Sequence, residues 1–222
     1  MFWDNNLSEE QKAYKLDYIG AAIIGIATIL AASSAYFSAL WGGNMSQKYT
    51  GAVTSLTEAS TLYLEGLSDL STQEFRDFQD GIMYSQFRNA DDKRDIELAD
   101  LYKSYFSEPF RKTVEVDDYG GDFDAVNAAY QAANDSIVRE CHERIDSATV
   151  LWSASYGLIN QGDEANANGD KFTLATVLFT IVLFFAGMSA AARRYQLKMI
   201  YMLFCSVTFL GSVLYMLTIP FP

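Results

Sequence analysis

Acidic residues are the side chains of this sequence best suited to chemistry, and four cluster in DDYGGDFD: Asp117, Asp118, Asp122 and Asp124. Carboxylate oxygens around flexible glycines could coordinate calcium. The same cluster also suits a solvated loop that ends in a helix N-cap, because Asp accepts hydrogen bonds from the first N–H groups of a helix. We expect the loop and cap, and these four residues are the best metal candidates.

A second partial match to a calcium site lies in NQGDEANANGDKFTLATVLF, residues 160–179. When Gly169 is aligned with the glycine of an EF-hand loop, the first, third and fifth positions are occupied by Glu164, Asn166 and Asn168. The twelfth position, which needs a bidentate Glu, is Ala175. We therefore expect a helix, straight or slightly loosened, that enters an apolar segment, with a hinge as the alternative.

Thiol or metal chemistry is suggested by RECHER, where Cys141 and His142 lie between Glu140 and Glu143. Adjacent residues on a helix point in different directions, so this group is not expected to converge on one ion. We expect Cys141 to be a small core residue. Cys205 lies in an apolar block at a different depth, which excludes a disulfide with Cys141. No catalytic constellation stands out, and the sequence predicts neither an enzyme nor a cofactor.

The elements around these residues are dominated by three apolar blocks, residues 18–41, 172–192 and 199–220. Each is long enough for a helix to cross the roughly 30 Å hydrocarbon core of a bilayer. The segment before the first block, MFWDNNLSEEQKAYKLD, is acidic, whereas a signal peptide begins with basic residues. The first block is thus interpreted as a retained anchor, and the chain as a three-span membrane protein.

The orientation follows from Lys and Arg near the spans, because cytoplasmic loops retain them. The turn RRYQLK, residues 193–198, carries Arg193, Arg194 and Lys198 and is predicted to be cytoplasmic. Residues 1–17 then lie in the cytoplasm, and residues 42–171 and the C-terminus lie outside. The predicted location is the plasma or inner membrane.

The segment 42–171 is strongly acidic, with 11 Lys and Arg against 24 Asp and Glu, a balance of −13. Such a surface repels nucleic acid and favours cations or basic partners. Solubility or a saline habitat would explain the acidity equally well.

The spacing of apolar residues predicts an antiparallel bundle of about four helices for this segment, and the long first and last helices are expected to continue into the membrane. A first helix after Gly42-Gly43 has a heptad stripe, and a second, capped by Ser71 and Glu74, has a shorter one. A third helix ends or restarts at Pro109, RKTVEVDDYGGDFD is the main loop with a possible β-like run, and a last helix begins at Asp124. The two stripes are Tyr49, Val53, Leu56, Ser60, Tyr63, Leu67 and Leu70, then Phe75, Phe78, Ile82 and Met83.

Small residues form a candidate helix-packing face, since they let another helix approach closely in lipid. They recur at steps of four in the first block and seven residues apart before the second. Internal packing of the spans and contact with another chain are both consistent with this pattern. The residues are Gly25, Ala27, Ala31, Ala35, Ala39, Gly162 and Gly169.

The stretch ANANGDKFTLATVLFTIVLFFAGMS, with the basic turn and third block after it, resembles the C-terminal part of a family of uncharacterised prokaryotic three-span membrane proteins. The resemblance covers residues 160–220 in detail and the remainder in layout. It implies an N-terminal span, a helical outer segment and a closing transmembrane hairpin, without an activity or a functional residue.

These features favour a non-enzymatic structural or accessory protein, which acts as a homo-oligomer or as a subunit of a larger membrane complex. Its expected partners are the lipid bilayer and either itself or another membrane protein; the sequence names no small-molecule ligand. The alternatives are an extracytoplasmic sensing module that signals through a partner, or a passive cation channel lined by Thr173, Thr176 and Thr180. The interiors of the blocks carry no ionisable residue, which argues against active transport.

Overall fold

The computed structural model describes residues 9–116 and 121–222, and these residues form five α-helices. The helices are α1 (Glu9–Asp92), α2 (Ile96–Ser104), α3 (Glu108–Val116), α4 (Phe123–Ala191) and α5 (Tyr195–Leu217). The described part of the chain contains no strand, which confirms the all-α prediction.

Three helices, α1, α4 and α5, are long and apolar enough to cross a membrane. The predicted span 18–41 lies inside α1, and 172–192 lies inside α4 except for its last residue. α5 starts at Tyr195 and ends at Leu217, whereas the predicted third span covers 199–220. Residues 160–171 are helical throughout within α4. The partial calcium-loop pattern is therefore part of a continuous helix.

α1 continues through Gly42-Gly43, as expected for an outer helix that rises from the first span. The prediction that a new helix starts at Ser71 is wrong, because α1 continues through that place as well. It contains no proline, and a helix tolerates Gly at a cost of about 1 kcal/mol each. The helix ends where Arg94 adopts a left-handed conformation, with φ of 57°. The N–H of Asp95 then donates to the carbonyl of Ala90, and that of Arg94 to the carbonyl of Asp91, which together form a Schellman C-cap.

The chain divides into two compact units, which we call the apolar unit (residues 9–52 and 156–222) and the acidic unit (residues 53–155). In the apolar unit, α1 buries Gly20, Ala27 and Ser34 at steps of seven. The ring of Phe37 on α1 packs on Phe172 of α4, with centroids 5.4 Å apart. The core of this unit is formed by Ala27, Phe172, Ala175, Phe179, Val182, Ala186, Cys205, Met216 and Ile219.

In the acidic unit, the distal part of α1 runs antiparallel to the start of α4, with α2 and α3 between them in sequence. Contacts along the pair include the rings of Tyr63 and Trp152, 5.1 Å apart, and the close approach of Gly66 to Ile145. The core at the α2–α3 end is largely aromatic. It consists of Tyr84, Phe106, Phe110, Val114, Val126 and Tyr130, with Met83 and Phe87 packed against them.

The first predicted stripe is only half correct. Leu56, Tyr63 and Leu70 are partly buried, but Val53 is 61% exposed and Leu67 is 39% exposed. The buried positions beside them are Ala59 and Gly66. Small residues contribute little to a hydrophobic pattern, yet they allow the two helix backbones to come close. The larger neighbouring side chains then lie beside the contact line and are partly or largely exposed.

The second predicted stripe mostly faces outward, because the helix does not restart at Ser71. Phe75 is 68% exposed and Phe78 is 67% exposed, Ile82 is also exposed, and Met83 alone packs against the core. The expected β-like run in RKTVEV is wrong as well, since these residues belong to α3. Pro109 lies at the second position of α3, where its missing N–H costs nothing.

We expect Gly66→Ala to destabilise the acidic unit. An added Cβ would lie 2.9 Å from Cγ1 of Ile145 and 3.0 Å from the backbone oxygen of Cys141, so α1 and α4 must separate. Overpacking of this kind costs about 1–3 kcal/mol. Thermal unfolding followed by circular dichroism measures the loss.

Gly157→Ala is the matched control, because a Cβ there would meet nothing within 4 Å. Because Gly157 is partly exposed and has this free space, replacing it by Ala should raise stability by about 0.5–1 kcal/mol. Equal effects of the two substitutions would show that α1 and α4 are not in close contact at Gly66.

Candidate functional site

The acidic unit holds a buried carboxylate, Asp80, at the junction of α2 and α3. Asp80 is almost fully buried on α1 and accepts hydrogen bonds from the backbone N–H and the hydroxyl of Ser107, at 2.7 and 2.5 Å. Burial raises the pKa of Asp80, the hydrogen bonds from Ser107 oppose the shift, and the charge of Asp77 adds to it. This pair ties α1 to the residue that precedes α3.

A second polar network joins α1 to α4 one turn away. The side-chain amide of Gln73 donates to Asp77 at 2.8 Å and to the hydroxyl of Tyr130 at 3.1 Å. Gln131 donates to the other carboxylate oxygen of Asp77 at 2.9 Å. Both oxygens of Asp77 are therefore engaged, so this carboxylate is held in place as a structural acceptor.

A groove of ≈ 680 Å³ opens beside these networks. Phe78, Ile82 and Phe123 supply apolar surface, and Arg88 and Asn127 supply polar groups. Arg88 lies 3.6 Å from Asp91 and 3.8 Å from Asp92, which is longer than a hydrogen bond. The groove can thus accommodate an apolar group, with hydrogen-bond donors at its polar side.

Gly121 borders the groove in a left-handed conformation, with φ of 82°. A side chain at this position would be strained by the positive φ, and its Cβ would displace the guanidinium of Arg88. The glycine of the predicted loop thus has a specific packing role.

The acidic candidate metal residues are only partly within the described chain. Asp117 and Asp118 lie outside it. Asp122 precedes α4 and accepts a hydrogen bond from the N–H of Asp124 at 3.0 Å, as an N-terminal capping residue does. Across residues 9–116 and 121–222, His, Cys, Asp and Glu form no group of three that could hold a metal ion.

Cys141 and His142 do not converge on one site. Cys141 is buried in the acidic unit, whereas His142 is exposed and bonds to the carbonyl of Val138 on its own helix.

The threonines of the predicted channel lining bond within the protein. Thr173, Thr176 and Thr180 each donate to the backbone carbonyl four residues earlier, and Thr173 also bonds to Ser38. Their hydroxyls are therefore engaged within the protein.

The small residues predicted as a packing face of α1 do not all lie on the same side of the helix. Ala27 is fully buried and Ala31 packs beside it, but Ala35 and Ala39 are exposed and Gly25 faces open space. A step of four residues overshoots a full turn by about 40°, so a row at that spacing drifts off the contact. The buried row on α1 follows steps of seven instead.

Gly162 and Gly169 both lie against α1. A Cβ on Gly162 would be 2.6 Å from the ring of Tyr49, and one on Gly169 would be 3.5 Å from Cβ of Trp41. The Tyr49 hydroxyl donates to Asp163 at 2.5 Å, and this hydrogen bond raises the pKa of Tyr49. The repeated Gly-Asp pairs thus mark successive close positions along one helix.

An ion pair that the sequence did not reveal lies at one end of the apolar unit. The ammonium of Lys198 lies 2.6 and 2.8 Å from the carboxylate oxygens of Asp17, and its backbone oxygen accepts from Ser189. The Lys198 side chain is 9% exposed and that of Asp17 is 47% exposed. Both residues border apolar blocks, which is the signal that could have linked them.

Comparison of the chain with protein-family models, curated proteins and solved structures finds no match. The resemblance to three-span membrane proteins therefore stays a prediction.

We expect the stability of Asp80→Asn to depend less on pH than that of the wild type. The pKa of Asp80 is raised above its ordinary value of 3.8 in the folded protein, so folding takes up a proton. The contribution of this proton to the free energy of unfolding is greatest below about pH 4. It is lost as the pH rises through the pKa that Asp80 has in the folded protein. Unfolding midpoints from pH 4 to pH 7 should fall more steeply for the wild type.

Asp135→Asn is the control, because Asp135 is an exposed carboxylate on α4. If the midpoints of the wild type and of Asp80→Asn fell equally steeply with pH, burial of Asp80 would not be the cause of the pH dependence.

The two halves of the Asp17–Lys198 pair should respond unequally to removal. Asp17→Asn leaves a buried ammonium without its carboxylate, whereas Lys198→Met leaves a carboxylate that water still reaches. The unfolding midpoint should therefore fall more for Asp17→Asn, and the double variant should recover most of that loss. Additive losses in the double variant would show that the two residues do not interact.

Proposed function

We propose that the protein is a three-span membrane protein with residues 193–198 and the N-terminus in the cytoplasm and the acidic unit outside. Exposed Arg193 and Arg194 support this orientation, together with Lys12 and Lys15 before the first span. Lys198 contributes less than its charge suggests, because Asp17 neutralises it.

Two contacts within the apolar unit support three crossings. Asp17 and Lys198 join the starts of the first and third spans at one end. At the other end, the indole N–H of Trp41 donates to the carbonyl of Pro220 at 3.2 Å. The first and third spans are thus paired at both ends and run in the same direction. Three crossings of this kind leave the two termini on opposite sides of the membrane.

For function, we propose a structural or accessory role, exerted by association with a second copy or with another membrane protein. The observation that carries this proposal is the row of exposed large apolar side chains on α1 of the acidic unit, Phe75, Phe78 and Ile82. Large apolar side chains on an extramembrane, highly charged surface mark interaction sites. The polar networks at Asp77 and Asp80 support the same role, because they hold the helices in place.

A sensing module is the second candidate, favoured by the groove beside Arg88. A ligand there would contact α1 and α4 together, and any signal would need a partner to carry it. The cytoplasmic part of the proposed topology, residues 1–17 and 193–198, is too short for an output domain.

The mass of the protein gently extracted from its own membrane tests the proposal. Native mass spectrometry should give either a multiple of 24.8 kDa or a defined stoichiometry with another chain. The first result supports self-assembly and the second an accessory subunit. A lone monomer at all concentrations would contradict association and favour the sensing module.

A further inference from the structure

One side of α1 in the acidic unit is free of charge over its whole length. Its residues follow one another at an average step of 3.6, so they form a straight line along the helix. All of them are exposed. We call this side the uncharged face; it consists of Val53, Thr57, Ser60, Leu64, Ser68, Ser71, Phe75, Phe78, Ile82, Gln86 and Asn89.

The charged residues of this part of α1 are all placed elsewhere around the helix. Eight lie between Val53 and Asn89: Glu58, Glu65, Asp69, Glu74, Arg76, Asp77, Asp80 and Arg88. The exposed surface of α4 in the same unit shows the contrast, with Asp135, Arg139, Glu140, Glu143 and Asp146. The lack of charge is therefore a property of one face, in a segment whose acidity would favour solvated carboxylates everywhere.

Two of the four hydroxyl groups on the uncharged face already donate within the helix. Thr57 donates to the carbonyl of Val53 at 2.9 Å, and Ser60 donates to the carbonyl of Leu56 at 2.8 Å. Thr72, beside the face, donates to the carbonyl of Ser68 at 2.8 Å. Because a buried hydroxyl is costly only when its donor is unpaired, Thr57 and Ser60 can be covered at little cost.

Large apolar side chains alternate with these small ones. Phe75 and Phe78 together present roughly 250 Å² of ring surface, and Leu64 and Ile82 extend the row. The face has fewer residues than the 20–30 on each side of a standard interface. Two copies held in one membrane need less contact area, because confinement raises their effective concentration.

We propose that the uncharged face pairs with the same face of a second copy, with the two α1 helices side by side and running in the same direction. In such a two-fold pair each residue near the axis meets its own copy, so any charged residue would face a like charge. A face for a different protein could carry charges matched by opposite ones. This inference rests on the proposed function and names its partner and surface.

Charge variants of Gln86 test whether each residue meets its own copy. In nanodiscs, Gln86→Glu alone and Gln86→Lys alone should each weaken self-association by about tenfold, since like charges then face each other. Co-expressed with different tags, the two variants should associate again, and mixed pairs should outnumber like pairs. Native mass spectrometry counts the pairs, and circular dichroism confirms that each variant keeps its helix content.

Ser136→Glu and Ser136→Lys are the matched controls, because Ser136 is exposed on α4 away from the uncharged face. They should leave the pair fraction unchanged. Wild-type-like pairing of both Gln86 variants would overturn the inference while the proposed function stands. A wild-type monomer would overturn both, and a complex with a different chain that the Gln86 variants disrupt would overturn self-pairing alone.

Discussion

The close approach of α1 and α4 at Gly66 is the constraint on which the acidic unit depends. Without a side chain at this position, α1 comes within contact distance of Ile145 and of the backbone of Cys141. Ala59 and Ala148, one heptad away on each helix, are fully buried in the same way. Because small residues occupy the line of contact, the larger side chains of α1 lie beside it or on its opposite side. The exposed position of Phe75 and Phe78 is thus a consequence of how the helix pair is closed.

Towards its distal end the contact line changes from small to polar residues. Gln73 and Asp80 continue the same seven-residue spacing, and both are buried. Their hydrogen bonds to Tyr130 and Ser107 specify where α4 starts and where α2 and α3 fold back. Buried polar groups of this kind add little net stability, but they disfavour alternative registers in which they would be unpaired. They therefore supply the register that a row of Ala and Gly cannot provide.

The sequence predicted the all-α class, the three apolar helices and Gly162 as a position of close approach, because these depend on length, composition and local spacing. It failed where small residues carried the contact. The stripe through Val53 and Leu67 is only half correct because apolar periodicity cannot distinguish a buried face from an exposed one. The break at Ser71 was predicted from a capping motif, which a continuous helix overrides when both flanking segments favour helix. Asp80 and Ser107 are 27 residues apart in sequence, so no local signal could pair them.

α1 directs its small residues inward to α4. In the proposed pair, its uncharged face points outward to a second copy. The most direct test is the distance between spin labels attached at Gln86→Cys in two copies of the full chain in nanodiscs, measured by pulsed dipolar spectroscopy. Packed helices have axes about 8–10 Å apart. Two α1 helices that lie side by side should therefore give a narrow distribution of label-to-label distances, centred below roughly 20 Å. A broad distribution at longer distances, or no dipolar coupling between copies, would contradict it.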